Sequence, residues 1–343
     1  MNPIDLLAGL VKIYSPSQKE RDAVNYLVAQ MSARGFRAFV DEAGNAVGIF
    51  GDGAREIVLL GHIDTFHGYI EPRIEDGKLF GRGAVDAKGC LATFVAACAR
   101  VRRDDVRFVI IGAVEEECAT SKGARYAVTQ YKPEFCIIGE PSGWDRITLG
   151  YKGRVLIDYA IEKPMTHTAS GTRAAAEDAV AFWNRIAAYA AEYNRGKPRV
   201  FDQLDPSLRF INSNDDGFTD GTTLRIGVRV PVGLTIQQVE EEIAPYANGG
   251  RIEFSSEEEP FRAGKNNALV RAFLAAIREA GGVPAFTVKT GTADMNIVGP
   301  AWGCPIVAYG PGDSTLDHTP NEHLELAEYE RAISVLSCVL KEI

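Results

Sequence analysis

Three short apolar runs, at 57–61, 108–114 and 135–139, each stop on groups that can bind a cation: His62, the triplet Glu115-Glu116-Glu117, and Glu140. Runs this short and this apolar fit buried strands. Helical periodicity fills the intervals, with helices expected at 3–13, 19–34, 87–102 and 121–130. Ser17 is the expected N-cap of the second helix and Gly35 its stop. Shorter strands are expected at 37–41 and 46–50. Buried strands alternating with helices specify an α/β sheet covered by helices. The carboxyl ends of its strands form the rim where ligands bind, and the histidine and glutamates stand there.

The texture changes near Gly150. Residues 155–162 and 224–230 alternate apolar and polar side chains, 174–194 and 237–246 are helical, and 251–255 is β-like. This β-α-β-α-β run suits a small α+β unit with helices on one face of an antiparallel sheet. After Pro260 the first texture returns, with a helix at 267–280, strands at 286–289 and 306–309, and a last helix at 325–341. The expected organisation is one discontinuous domain, 1–150 and 262–343, interrupted by an inserted domain at 151–261. There is no internal repeat and no low-complexity segment.

A chain of 343 residues with 46% hydrophobic and 24% charged content can bury a large core. Net charge is -9 and no lysine- or arginine-rich run occurs, so nucleic acid is not an expected partner. No apolar run approaches the roughly 20 residues of a membrane span. The start, Met1-Asn2-Pro3-Ile4-Asp5, has neither the basic beginning nor the apolar stretch of a signal peptide. A cytoplasmic location is expected. The six cysteines form no CxxC pair and are expected to be buried free thiols.

His62 sits in Gly61-His62-Ile63-Asp64-Thr65. Positions two apart on an extended chain point the same way, so Asp64 is expected to support His62 and set its tautomer. In Gly81-Arg82-Gly83-Ala84-Val85-Asp86-Ala87-Lys88-Gly89, Asp86 has two readings: a helix N-cap, or a carboxylate shared by two cations. Three adjacent glutamates repel one another. Such a run is often a solvated face, but here it continues a buried strand, which favours a cation site. Glu140-Pro141 repeats the pattern, and His318 lies in a loop before the last helix. Mixed histidine and carboxylate donors suit Zn²⁺, Co²⁺ or Mn²⁺ better than Ca²⁺. Five such groups with one shared carboxylate fit a two-metal hydrolytic site.

These motifs, in this order and over essentially the whole chain, resemble the M20 family of metallopeptidases, which includes acetylornithine deacetylase, succinyl-diaminopimelate desuccinylase and carboxypeptidase G. The resemblance implies a zinc-peptidase-like catalytic domain, with a mixed sheet covered by helices, and an inserted α+β lid that dimerises. It implies two divalent ions, Zn or Co, one held by His62, Asp86 and Glu140 and the other by Asp86, Glu117 and His318. It makes Glu116 the general base and Asp64 the residue that orients His62. The stretch from Cys118 to Gly123 is about one residue longer than usual in the family, which leaves a register shifted by one residue open. Met165-Thr166-His167-Thr168-Ala169-Ser170-Gly171 is similar to the lid's histidine motif, so His167 would stabilise the oxyanion in a partner subunit. Arg229 would grip a substrate carboxylate, and Gly291 and Thr292 belong to a glycine-rich substrate loop. The family's Asn-x-x-Pro is absent; Asp216 stands near the place.

Within the family the resemblance is greatest to the [LysW]-lysine/ornithine hydrolases, also described as acetyl-lysine deacetylases. It is carried by Val114-Glu115-Glu116-Glu117, Ser121-Lys122-Gly123-Ala124-Arg125, Glu140-Pro141-Ser142-Gly143-Trp144 and Gly150-Tyr151-Lys152-Gly153-Arg154. It implies release of lysine or ornithine from an N-acylated form, either a γ-glutamyl amide on an amino-group carrier protein or an N-acetyl amide. Acetylornithine deacetylase, desuccinylase, dipeptidase and a non-catalytic metal-binding relative are the alternatives. The carriers are acidic, and the only basic patch the lid offers them is around Lys152, Arg154 and Arg173.

Overall fold

A computed structural model of the chain describes residues 2–343. Its packing forms two units, the first comprising the chain up to Gly150, Ala263–Val288 and Ala293–Ile343, the second Tyr151–Arg262 and Lys289–Thr292.

The first unit is built on a mixed sheet. From one edge inward its strands run Arg37–Val40, Ala46–Phe50, Val106–Ala113, Arg55–His62, Phe135–Gly139, Ile306–Ala308 and Arg146–Tyr151. The central strand, Arg55–His62, lies parallel to Val106–Ala113 and to Phe135–Gly139. Ile57, Val58, Leu59 and Leu60 are fully buried, so both faces of this strand are covered. The parallel register sets Gly61 beside both Gly112 and Gly139, which brings three strand ends to one rim.

The helices Pro3–Val11, Arg21–Ser32, Lys88–Cys98, Ala268–Glu279 and Leu326–Glu342 contribute Leu6, Leu27, Phe94, Phe273 and Leu336 to one core. Lys88–Cys98 is buried at every position, as a helix with neighbours all round must be. Its close approach to the sheet needs glycine: a Cβ on Gly139 would lie 2.9 Å from the Phe94 ring and 3.0 Å from the Gly61 Cα.

Two helix starts differ from the sequence reading. Arg21–Ser32 has Glu20 at its N-cap without a side-chain bond, while the Ser17 hydroxyl donates to Asp64 at 2.7 Å. The next helix starts at Lys88, capped by Ala87, so Asp86 is not an N-cap.

The second unit is an antiparallel sheet in the order Asp205–Asp215, Thr219–Val230, Gly153–Pro164, Arg251–Glu258. Val155, Ile157, Tyr159 and Ile161 share a core with Ala179, Phe182 and Ile186 of helix Ala175–Tyr193 and Val239 of helix Ile236–Ile243. The Tyr159 and Phe182 rings stack 4.2 Å apart. Sequence patterning missed the strand Asp205–Asp215. It is an edge strand exposed along most of its length, so it carries no alternation, and Pro206 is tolerated at an edge. The unit is therefore β-α-β-β-α-β.

No described helix is long and apolar enough to cross a membrane. The cysteines are free; Cys90, Cys98 and Cys136 are buried, while Cys118, Cys304 and Cys338 are partly exposed rather than buried as expected.

Candidate functional site

His62 ends the central strand and is buried. Its Nδ1 lies 2.9 Å from the Asp64 backbone carbonyl. A carbonyl can only accept, so Nδ1 carries a proton; Nε2 faces Asp86 Oδ1 at 3.1 Å, to which it donates in the metal-free protein and where its lone pair would be free for an ion. Glu140 Oε1 is 4.0 Å from the same nitrogen.

The tautomer is thus set mainly by the Asp64 carbonyl. Its carboxylate, 3.5 Å from Nδ1, makes closer contacts elsewhere. It accepts from the backbone N–H groups of Glu116 at 3.1 Å and Glu117 at 3.0 Å, as well as from Ser17. Asp64 therefore also pins the turn that carries both glutamates.

The triplet does not act as three equal charges. Glu115 adopts a left-handed backbone with φ 62°, which turns its carboxylate toward the Thr120 hydroxyl at 2.6 Å and Lys122 at 4.0 Å. Glu116 and Glu117 join His62 in a cluster whose ligand atoms all lie within 4.8 Å of one another. In this register Glu115 leaves the cluster and the other two stay.

Asp86 stands between two histidines. Its Oδ1 faces His62 Nε2 and its Oδ2 faces His318 Nε2, each at 3.1 Å. His318, at φ 61°, also reaches Glu117 Oε1 at 3.0 Å, and the Phe66 ring stacks on it at 4.2 Å. Two triads with atoms within 4.8 Å result, His62–Asp86–Glu140 and Asp86–Glu117–His318, joined through Asp86. These residues could hold two cations sharing one carboxylate.

The electrostatics fit that donor set. Burial would push the His62 imidazole down, but Asp64, Asp86 and the charge of Glu116 outweigh it and raise it well above its ordinary value. Hydrogen bonds to Asp86 and Glu117 push His318 up to about 10. Burial alone would raise Asp86, yet His318 and His62 hold it well below the usual carboxylate range. Burial, then the charges of Glu140, Asp294 and Glu117, raise Glu116 well above a normal glutamate, and burial likewise raises Glu117. Carboxylates gathered this closely stay ionised only beside positive charge, which dications would supply.

The remaining sequence candidates lie in the second unit. His167 is exposed after strand Gly153–Pro164, its Nδ1 accepting from Ala169 N–H at 3.1 Å. Arg229 donates to the Thr292 hydroxyl at 3.3 Å, and Gly291 precedes that threonine. Two of the three basic-patch residues are taken up inside the unit, while Arg173 stays exposed. Lys152 is fully buried and paired with Asp205, Arg154 pairs with Glu258 at 2.6 Å, and Arg173 lies 3.2 Å from Asp178.

Sequence reasoning gave no role to Arg82, Lys88 or Glu322. All three are buried beside the cluster; their only signal was a place inside its motifs. Lys88 donates to the Ile13 carbonyl at 2.5 Å, and burial pushes its amine down to about 7.

Residues 58–342 match the model of "Peptidase family M20/M25/M40". The chain is similar to the "[LysW]-lysine hydrolase" of Deinococcus radiodurans, at 47% identity over 99% of this chain and 96% of that protein. It is 28% identical to the "[LysW]-lysine/[LysW]-ornithine hydrolase" of Saccharolobus solfataricus, over 99% and 95%. Among solved structures its fold is similar to an M20 family metallo-carboxypeptidase from Sulfolobus solfataricus, with TM-score 0.82, 17% identity, and 100% and 99% of the chains covered. A Bacillus subtilis protein described as a dinuclear metal-binding peptidase of the M20 family gives TM-score 0.71 at 12% identity over 99% and 97%.

Proposed function

The chain belongs to peptidase family M20/M25/M40 and is a metal-dependent amide hydrolase, and on that premise we propose that it cleaves the amide joining lysine, or ornithine, to the γ-carboxyl of an amino-group carrier protein. The named relatives support this substrate. The observation that carries the two-metal part is Asp86, whose two oxygens each face a different histidine at 3.1 Å.

His62, Asp86 and Glu140 would hold one ion and Asp86, Glu117 and His318 the other, with Zn or Co best suited to these donors. Bound there, such ions would supply Lewis acidity toward the scissile carbonyl and toward water. Glu116 takes the proton of the attacking water and delivers it to the leaving amine. Without ions, burial and the neighbouring carboxylates raise Glu116; beside dications it would ionise and be able to accept a proton. Asp64 holds Glu116 in place through its N–H. Arg229, with Thr292 and Gly291, would grip the substrate carboxylate. His167 would donate to the developing oxyanion of a partner subunit in a homodimer formed through the inserted unit. The cytoplasm is the proposed location.

The test is chelation followed by re-addition of Zn²⁺ or Co²⁺, with hydrolysis lost and regained. Glu116→Ala should keep both ions and lose turnover; normal turnover would remove Glu116 from its role. Assaying a γ-glutamyl-lysine carrier mimic beside N-acetyl-lysine, N-acetylornithine and succinyl-diaminopimelate identifies the acyl group. Preference for any of the other three over the carrier mimic would overturn the carrier reading.

A further inference from the structure

The ligands of the two proposed ions are held in different ways. His62 and Glu140 stand at or directly after the ends of neighbouring parallel strands, Arg55–His62 and Phe135–Gly139. Asp86 and His318 stand on loops. Something must hold those loops to sub-ångström tolerance, because a carboxylate shared by two ions cannot drift toward either.

Glu322 follows His318 in the same loop and is completely buried. One carboxylate oxygen accepts from the N–H groups of Val85 at 3.0 Å and Asp86 at 3.2 Å. The other accepts from the Arg82 guanidinium at 2.7 Å. The Glu322 carbonyl in turn accepts from Gly81 N–H at 3.2 Å. The opposite side of Arg82 donates through Nε to the Gly68 carbonyl at 3.0 Å. Gly68 closes the segment whose Phe66 stacks on His318. One buried ion pair thus ties together the segment carrying Phe66, the loop carrying Asp86 and the loop carrying His318. Both partners are nine-tenths or more buried. Burying such a pair costs desolvation that its attraction only partly offsets, so stability is a poor reason for its presence, and geometry is a better one.

We propose that Arg82 and Glu322 are the positioning pair for Asp86 and His318, and so bear most on the ion held by Asp86, Glu117 and His318, while the ends of the sheet strands position His62 and Glu140, two of the three ligands of the other ion. Neither residue is a metal ligand; both act through the backbone of Asp86 and the loop of His318. This rests on the two-metal reading above.

The experiment titrates metal-free protein with Co²⁺, following calorimetry and ligand-field absorption, for wild type, Glu322→Gln and Arg82→Lys. Wild type takes up two ions. In Glu322→Gln the ion held by Asp86, Glu117 and His318 weakens by about 10- to 100-fold, the usual effect of removing a group that orients a ligand, while the other, which has only Asp86 on the tied loops, weakens clearly less. Arg82→Lys keeps the charge but loses the bond to Gly68, and shows the same asymmetry to a smaller degree. Far-UV circular dichroism checks folding, and if the glutamine variant fails to fold, the lysine variant decides. Variants that bind both ions as wild type does, or that weaken both equally, overturn the proposal. Wild-type protein that takes up fewer than two ions overturns the two-metal reading instead.

Discussion

Asp64→Asn is the substitution that best tests how the site is held. The Asp64 carboxylate accepts from Ser17 at 2.7 Å, from Glu116 N–H at 3.1 Å and from Glu117 N–H at 3.0 Å. An asparagine has the same shape but one carbonyl oxygen, so its amide NH₂ must face at least one of those donors. Losing a hydrogen bond to a charged group and leaving a buried donor unmatched costs about 1.5–3 kcal/mol. At roughly 1.4 kcal/mol per tenfold, that corresponds to about 10- to 100-fold in rate if the cost falls on the placement of Glu116. Asp64 is not proposed to touch substrate, so the loss should appear in kcat with KM nearly unchanged. Uptake of the ion held by His62, Asp86 and Glu140 should stay within a few-fold, because His62 keeps its bond to the residue 64 backbone carbonyl, while the ion held through Glu117, whose N–H also bonds the Asp64 carboxylate, weakens more. Steady-state hydrolysis of the carrier mimic and Co²⁺ titration measure the two quantities. An Asp64→Asn enzyme whose kcat lies within threefold of wild type would refute the reasoning.

Three further outcomes are expected. In metal-free protein His318 has its folded pKa raised to about 10 from an ordinary 6.5; its protonated form therefore stabilises the fold fully below pH about 6.5, and that contribution is lost as pH rises through about 10. Melting temperature in chelator should fall across that window, and less steeply in the His318→Ala variant, where the raised His62 remains; equal slopes in both would exclude it. Gly139→Ala forces a Cβ to 2.9 Å from the Phe94 ring and 3.0 Å from Gly61 Cα, and urea unfolding should show a loss of about 1–3 kcal/mol; an unchanged midpoint would mean that the helix and sheet separate freely there. Arg229→Met should raise KM for substrates with a free carboxylate and leave carboxamide analogues unaffected, whereas equal effects on both would remove it from carboxylate binding.

Most of the architecture was legible because its signal is local. An apolar run buried on both faces, as at Ile57–Leu60, is written in consecutive residues, and so is the donor that follows it. The edge strand Asp205–Asp215 was illegible because exposed side chains leave no pattern. His62, Asp86, the Glu115–Glu117 triplet, Glu140 and His318 stood out in the sequence because strand ends and the loops beside them converge on one rim of an α/β sheet, while the choice of Glu117 within the triplet came from the resemblance to the M20 family.

Tertiary structure decided what each donor faces. Asp86 meets His62 and His318 across the fold, and nothing near residue 86 says so. Glu115 leaves the cluster through a left-handed turn, a backbone choice that three identical side chains cannot encode. Asp64, expected to set the tautomer of His62, spends its carboxylate mainly on the turn of Glu116 and Glu117. Lys152 and Arg154, a basic patch on paper, are spent on Asp205 and Glu258. The division follows from range: burial and strand-end chemistry depend on neighbours along the chain, whereas charge pairing depends on neighbours in space.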